Sequence, residues 1–280
     1  MADYANPEVL VEIDWLADHL DDEDVVVIEV DEDTTAHDKG HIPGAITLNW
    51  KTELQDPLRR DFVSSEGLAK LLGDRGISED DTVVLYSGNN NWFATYAYWL
   101  LKYRGVDNVK LLNGGRKKWE LDSRELTQDA PNRSAATLSI GAENPAIRTF
   151  RDDVLKRVES GEGAWVDVRA PEEFRGELLA PPHLPQEQAQ VPGHIPGAAN
   201  VTWSKTVNED GRFKSPEELQ ALYADQGVTP DKDVVTYCRI GERSSHSWFV
   251  LRELLGFEKV TNYDGSWTEY GSMVGVPVEK

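Results

Sequence analysis

The chain has 280 residues, which is long enough for two domains that each bury a core of their own. Fifty acidic residues against 29 basic ones give a net charge of −21, and such a surface repels nucleic acid and anionic membranes. We therefore expect neither as a partner. A single cysteine excludes an internal disulfide.

The composition also bears on where the protein works. No apolar run reaches the length of a membrane span, and the first residues lack the basic and apolar regions of a signal peptide, so we expect a cytoplasmic protein. One cysteine and six dispersed histidines give no metal-ligand spacing, which predicts neither a metal nor another cofactor. The acidic excess, spread over a chain that is 39% hydrophobic, is typical of a folded protein from a salt-loving organism.

Followed from its start, the chain repeats itself. The motif Gly-His-Ile-Pro-Gly-Ala at residues 40–45 recurs at residues 193–198. The apolar strand Val83–Tyr86, with a polar loop and an aromatic helix after it, recurs at a constant offset from Val234–Tyr237 onward. Alternating strands and helices with apolar strands predict an α/β protein with two tandem domains, each a mostly parallel sheet flanked by helices.

Composition places the boundaries between these domains. Residues 1–122 hold the first copy, and residues 149–280 hold the second, which begins with a helix near Arg151. Residues 123–148 are rich in Ser, Ala, Asn, Asp and Pro and have weak periodicity, so they are predicted to form a linker.

Differences between the copies identify the functional half. The first copy has Ser87 where the second has Cys238, and Arg169 and Arg243 also occur only in the second copy. The second copy carries an additional proline-containing excursion, residues 180–190, which we expect to form one wall of a site. The chemistry is therefore predicted to lie in the second domain.

The surroundings of Cys238 favour a nucleophile. The residue follows the strand Val234–Tyr237, and a five-residue loop leads from it into a helix predicted over residues 244–255. Loop N–H groups, the helix dipole, Arg239 and Arg243 all favour a thiolate there. A lone cysteine is commonly a small buried hydrophobe, but this combination of features indicates a reactive one.

The length of the loop indicates which group it binds. Cys-x4-Arg followed by Ser resembles the phosphate-binding loop of tyrosine phosphatases, Cys-x5-Arg-Ser/Thr, with one residue fewer. A ring of N–H groups closed by fewer residues is smaller, and it fits one additional anionic sulfur better than a tetrahedral phosphoryl group. Sulfur transfer is favoured, with a phosphatase or arsenate reductase as the alternative on the same scaffold.

The motifs together resemble those of the tandem-domain rhodaneses, which are thiosulfate sulfurtransferases. The resemblance covers nearly the whole chain through both Gly-His-Ile-Pro-Gly-Ala motifs, Asp167-Val-Arg169, Cys238-Arg-Ile-Gly-Glu-Arg243 and the closing Gly265-Ser-Trp-Thr-Glu-Tyr-Gly271. It implies an N-terminal domain that has lost catalysis, in agreement with Ser87.

Within the family the loop distinguishes two donors, because mercaptopyruvate-using members tend to have uncharged loops and thiosulfate-using members basic ones. Arg239 and Arg243 suit the thiosulfate dianion, whereas Glu242 opposes it unless its carboxylate points away or pairs with an arginine. Arg169 is expected either to reach the donor or to tie the loop to the sheet. The N–H groups of the loop, which includes Ile240, Gly241 and Glu242, are expected to stabilise a persulfide.

The predicted reaction is ping-pong transfer through a covalent intermediate. The Cys238 thiolate takes the outer sulfur of thiosulfate, sulfite leaves, and cyanide, a thiol or a dithiol then removes the sulfur from the persulfide. We expect a monomer whose partners are these small molecules. A 3-mercaptopyruvate sulfurtransferase and a non-catalytic sulfur carrier or regulatory module remain the alternatives.

Overall fold

The computed structural model describes residues 3–180 and 188–280, which form two compact units. The N-terminal unit contains Glu8–Asn144 together with Glu209–Phe213, and the rest of the described chain forms the C-terminal unit. Most of the segment predicted as a linker belongs to the N-terminal unit, where the Ala136 N–H donates to the Gly73 carbonyl at 2.8 Å. Such contacts satisfy the backbone groups of an extended segment, but they require no periodic pattern of apolar residues in its sequence.

The N-terminal unit contains a sheet with strand order β1-β5-β4-β2-β3, in which all pairs are parallel. Its strands are β1 (Leu10–Val11), β2 (Val25–Asp31), β3 (Ile46–Asn49), β4 (Thr82–Tyr86) and β5 (Val109–Leu112). Its helices are α1 (Ile13–Asp18), α2 (Thr35–Lys39), α3 (Ser65–Asp74), α4 (Gly88–Tyr103) and α5 (Gly115–Leu121).

The C-terminal unit repeats this order as β6-β10-β9-β7-β8, again with all pairs parallel. Its strands are β6 (Arg148–Thr149), β7 (Ala164–Asp167), β8 (Ala199–Asn200), β9 (Val234–Tyr237) and β10 (Val260–Tyr263). Its helices are α6 (Arg151–Ser160), α7 (Pro171–Phe174), α8 (Pro216–Ala224), α9 (Glu242–Phe249) and α10 (Ser266–Tyr270).

Local sequence explains these elements. The strands are rich in valine, whose branched side chain packs well on a pleated sheet. Ser64 caps α3 by accepting a hydrogen bond from Gly67, and Ser215 and Glu218 form a reciprocal capping box at the start of α8. A π-helical turn, Val250–Leu254, follows α9 and ends before Gly256, which has a φ of +70°.

Both units bury apolar side chains between sheet and helices. In the N-terminal unit, Leu16 of α1 and Trp119 of α5 cluster with strand residues such as Val84. In the C-terminal unit, Val154 of α6 and Trp267 of α10 join the corresponding cluster. The predicted fold, two tandem α/β domains with parallel sheets flanked by helices, is confirmed. The central strands of the two sheets, β4 and β9, end directly before Ser87 and Cys238.

Candidate active site

Cys238 lies at the carboxyl end of β9, and its side chain is fully buried. Its N–H donates to Ser266 Oγ at 3.1 Å, and its carbonyl accepts a hydrogen bond from the Trp267 N–H at 3.1 Å. Ser266 adopts a left-handed φ of +51°, which is uncommon for a residue other than glycine. The start of α10 therefore fixes the backbone of the cysteine on the side opposite its own loop.

The loop after Cys238 is shorter than the sequence predicted. Helix α9 begins at Glu242, so only Arg239, Ile240 and Gly241 lie between Cys238 and the helix. Gly241 turns the chain with a φ of +94°, and a Cβ there would lie 2.9 Å from Asp264 Oδ1. One left-handed glycine is enough to turn the chain into the helix, so the loop is shorter than the five residues predicted, and that prediction was wrong. Arg243, expected in the loop, lies in the first turn of the helix.

Backbone N–H groups converge on the sulfur, as expected for an anion site. The Gly241 N–H donates to Cys238 Sγ at 3.2 Å, and the backbone of Ser244 contributes to lowering the pKa of the thiol. Ile240 is buried and lies beside Gly241 in the loop. Ser244 lies beyond the segment that sequence reasoning singled out, and it was missed because the helix was expected to start there.

Glu242 points toward the nucleophile. Its Oε2 lies 3.4 Å from Cys238 Sγ, and the side chain is buried. Burial raises the pKa of the Cys238 thiol and the Glu242 carboxylate raises it further, while Arg243 and the Ser244 hydrogen bonds lower it by less. While Glu242 is charged, the site therefore favours the thiol, and the expectation that it favours a thiolate was wrong for this state.

Arg243 is held by a carboxylate that sequence reasoning did not identify. Its two terminal nitrogens donate to Glu173 of α7 at 2.9 and 3.1 Å, and both side chains are buried. Burial alone would lower the pKa of Arg243, but the ion pair outweighs it and raises that pKa. Glu173 lies 70 positions away in the sequence, within an ordinary acidic helix start, so no local signal marked it.

Arg239 is also buried, with 3% of its surface exposed. Its carbonyl accepts hydrogen bonds from the Thr268 N–H at 3.0 Å and the Thr268 hydroxyl at 2.7 Å, which hold the loop to α10. Its charge, together with that of Arg243, lowers the pKa of Glu242 against the larger effect of burial. The assignments of Arg239 and Arg243 to donor binding stay predictions.

The contacts of Arg169 are those of a structural residue. Its guanidinium donates to both carboxylate oxygens of Asp167, at 2.6 Å for the closest contact, and to the Gly193 carbonyl at 2.7 Å. It also lies over the Trp267 ring, 4.9 Å from its centroid. These contacts tie β7 to the Gly-His-Ile-Pro-Gly-Ala segment, and donor binding by Arg169 stays a prediction.

The equivalent loop in the N-terminal unit is filled by its own side chains. The Ser87 N–H donates to Asn91 Oδ1 at 2.9 Å, and the Gly88 N–H donates to Asp31 Oδ2 at 3.3 Å. Asn89, Asn90 and Asn91 are all left-handed. The N–H groups of Ser87 and Gly88 are thus already satisfied by side chains of the same unit, and the absence of a nucleophile from this domain stays a prediction.

Two further expectations concern regions beyond this site. The excursion predicted to form a wall falls mainly on residues 181–187, which lie outside the described residues. Across residues 3–180 and 188–280, no helix combines the length and the apolar character needed to cross a bilayer.

Comparison with known proteins agrees with the fold. The Rhodanese-like domain family matches residues 12–122 and 150–273. The chain is 63% identical over 272 residues to a Saccharopolyspora erythraea protein provisionally named thiosulfate sulfurtransferase, covering 97% of this chain and 96% of that one. It is 55% identical over 280 residues to the sulfur carrier protein TtuD of Thermus thermophilus, covering 99% of this chain and 98% of that one.

Solved structures give the same fold. YnjE superposes with a TM-score of 0.86 at 25% identity, over 100% of this chain and 70% of that one. Wild-type EanB superposes with a TM-score of 0.86 at 24% identity, over 100% of this chain and 71% of that one, which shows the fold alone. The chain belongs to the rhodanese family and contains two rhodanese-like domains.

Proposed function

We propose that the protein is a sulfurtransferase that moves the outer sulfur of thiosulfate to a thiophilic acceptor through a persulfide on Cys238. The observation that carries this is the position of Sγ at the carboxyl end of a central strand, with the N–H group of Gly241 directed at it at 3.2 Å. Relatives at 63% and 59% identity bear the provisional name thiosulfate sulfurtransferase, which supports the choice of donor.

The reaction proceeds in two half-reactions. The Cys238 thiolate attacks the outer sulfur of thiosulfate, the S–S bond of the donor breaks, and its electron pair leaves with sulfite. The terminal sulfur of the persulfide then accepts hydrogen bonds from the loop N–H groups. Cyanide, a thiol or a dithiol attacks that sulfur, and the electron pair of the broken bond returns to Sγ.

The short loop supports sulfur over phosphoryl transfer. Three residues separate Cys238 from α9, and the Gly241 N–H already lies 3.2 Å from Sγ. A tetrahedral phosphoryl group on the sulfur needs a wider ring of donors than one added sulfur atom does.

A sulfur carrier is the second candidate, and the likeness to TtuD favours it. A carrier uses the same Cys238 persulfide but passes the sulfur to a protein acceptor instead of turning over with a small thiophile. Both activities need the same loading step, so the difference lies only in the second half-reaction.

One set of measurements separates these functions. After incubation with thiosulfate, wild type is expected to gain about 32 Da at Cys238, the mass of one sulfur, and to release thiocyanate repeatedly when cyanide is added. Cys238→Ser abolishes both signals, whereas Ser87→Ala retains them. Loading without repeated thiocyanate release would favour the carrier, and activity that survives in Cys238→Ser would exclude the proposed mechanism.

A further inference from the structure

The carboxylate of Glu242 and the thiol of Cys238 form a buried pair. Oε2 and Sγ are 3.4 Å apart, and the two side chains are exposed by only 2% and 0%. Both groups titrate, and both lie on the short path from the end of β9 into the first turn of α9. A proton on one of them is within hydrogen-bonding reach of the other.

This pair raises a problem of charge in the reaction proposed above. Thiosulfate is a dianion and the persulfide is an anion. Each of them reacts at Sγ and therefore lies beside Glu242. Two negative groups a few ångströms apart in a buried site cannot both remain ionised without a large penalty. A persulfide at Sγ is therefore compatible with Glu242 only when Glu242 carries a proton.

The surrounding charges reduce this penalty without removing it. Arg239 from the loop and Arg243 from α9 both act on Glu242. Arg243 is shared with Glu173 of α7, so part of its charge is neutralised there. On the β10 side, Asp264 lies against Gly241 and is paired with Arg148.

We propose that Glu242 is a catalytic residue that takes the proton from the Cys238 thiol before sulfur transfer and returns it when the sulfur leaves. This rests on the proposed function. The transfer converts a thiol beside a carboxylate into a thiolate beside a carboxylic acid, so the pair keeps one negative charge throughout. The nucleophile is produced without placing a second negative charge beside the donor.

The cycle balances with one resident proton. The proton moves from Sγ to Glu242 Oε2; the thiolate then forms the S–S bond to the outer sulfur, and sulfite departs with the electron pair of the donor's S–S bond. In the second half, the acceptor bonds to the outer sulfur, the Cys238 S–S bond breaks, and its electron pair remains on Sγ. Glu242 returns the proton to Sγ, and no external oxidant, reductant or acid is consumed.

The titration behaviour of the two groups agrees with this geometry. Burial raises the pKa of Glu242 and also that of Cys238, and each group acts on the titration of the other across the 3.4 Å contact. Such a coupled pair loses its protons in two steps that belong to the pair and not to either residue.

Alkylation of Cys238 by iodoacetamide tests the pair without any sulfur donor. Its rate, measured by mass spectrometry against pH, is expected to rise in two steps for wild type, because thiolate exists both before and after the shared proton is lost. Glu242→Gln keeps the shape but cannot accept a proton, so its rate should rise in a single step. Glu242→Asp keeps an acid and should retain two steps.

Turnover supplies the second readout. At pH 7, Glu242→Gln is expected to lower kcat/KM for thiosulfate by at least about 100-fold, the usual range for loss of an acid–base group, and Glu242→Asp should recover part of it. Glu269→Gln is the matched control: it makes the same change to a carboxylate in the same unit that hydrogen-bonds Tyr263 instead of the sulfur. It should change neither the alkylation profile nor turnover.

The outcomes distinguish this inference from the function on which it rests. If Glu242→Gln keeps the two-step alkylation profile, or turns over thiosulfate as fast as or faster than wild type, Glu242 is only an opposing charge and the inference is wrong. If wild type does not use thiosulfate but shows the two-step profile that Glu242→Gln loses, the proposed donor is wrong and the proton-sharing pair is supported.

Discussion

Two contacts that Arg169 makes in the C-terminal unit correspond to two that Arg116 makes in the N-terminal unit. Arg169 pairs with Asp167 and donates to the Gly193 carbonyl at 2.7 Å; Arg116 pairs with Glu29 and donates to the Gly40 carbonyl, also at 2.7 Å. The two arginines come from different elements, since Arg169 follows β7 and Arg116 lies in α5. A unit without a nucleophile thus needs the same ion pair, which indicates a structural role.

Removing this ion pair should therefore affect stability before substrate use. Arg169→Gln leaves Asp167 buried without its cation, and we expect a loss of about 3–5 kcal/mol in the free energy of unfolding. Arg169→Lys loses the forked geometry and should also be destabilised. Urea titration measures both, with Arg116→Gln as the matched change in the other unit.

The opposite result would favour the other role predicted for Arg169, binding of the sulfur donor. If Arg169→Lys unfolds at the same urea concentration as wild type but has a raised KM for thiosulfate, Arg169 binds the donor. The structural role predicts the reverse, a lowered midpoint with KM unchanged in the folded enzyme.

The sequence could not distinguish these roles, although it predicted the repeat. Alignment of the two copies set Arg169 against Asp31 and so marked it as present only in the catalytic half. In the N-terminal unit, the corresponding hydrogen bond to the glycine carbonyl comes from the guanidinium of Arg116, which lies in a later part of the repeat. When the arginine that pairs with the corresponding carboxylate comes from a different element in each unit, a position-by-position comparison of the two copies cannot detect the equivalence.

The ion pair between Glu173 and Arg243 gives a second prediction, on acid stability. Burial alone would raise the pKa of Glu173, but the hydrogen bonds from Arg243 outweigh it and lower that pKa below its ordinary value of 4.5. A lowered folded-state pKa contributes stability above pH 4.5 that is lost as the pH falls through the folded value. Glu173→Gln should remove about 3–5 kcal/mol at pH 7, and less at low pH.

Unfolding by urea at pH 7 and near pH 3 measures this difference. Glu177→Gln is the control, because Glu177 pairs with Arg175 at the surface and should change stability little at either pH. A loss for Glu173→Gln that is the same at both pH values would contradict the assigned ion pair.

The N-terminal loop provides a test of what a nucleophile requires. Asn91 Oδ1 and the Asp31 carboxylate already accept the N–H groups of Ser87 and Gly88. Installing a thiol by Ser87→Cys in a Cys238→Ser background should therefore give no gain of about 32 Da after thiosulfate, because those two N–H groups are not available to stabilise a persulfide and only the Ala94 N–H donates to the side chain at position 87. Cys238→Ser alone is the control, and a persulfide mapped to position 87 would show that the thiol alone suffices.

Arg239 bears on the choice between the two donors. Arg239→Gly removes a buried positive charge that acts on Glu242, the residue in contact with the sulfur. Thiosulfate carries two negative charges and mercaptopyruvate one, so kcat/KM should fall more for thiosulfate, by at least about tenfold relative to mercaptopyruvate, as expected for a desolvated charge contact. Equal losses with both donors would leave Arg239 a role in holding the loop through Thr268 instead.

The start of α9 shows where sequence reasoning reached its limit within the site. The strand Val234–Tyr237 and the nucleophile after it follow from hydrophobic pattern and residue type, and both were predicted. The helix start at Glu242 depends on the left-handed turn at Gly241 packed against Asp264, and the partner of Arg243 comes from α7. Such long-range contacts decide where Glu242 points, and no local pattern contains them.

The acidic surface leads to the last prediction, a dependence of stability on salt. Fifty acidic residues face 29 basic ones, so the folded chain repels itself at low ionic strength. Screening shortens the Debye length from about 10 Å at 0.1 M to about 3 Å at 1 M salt, which relieves repulsion between surface charges more than it weakens buried pairs such as Glu173 with Arg243. The melting temperature is therefore expected to rise as KCl increases from low to molar concentration. Sucrose at matched water activity is the control for solvent exclusion, and a melting temperature that stays flat or falls with KCl would contradict an adaptation to salt.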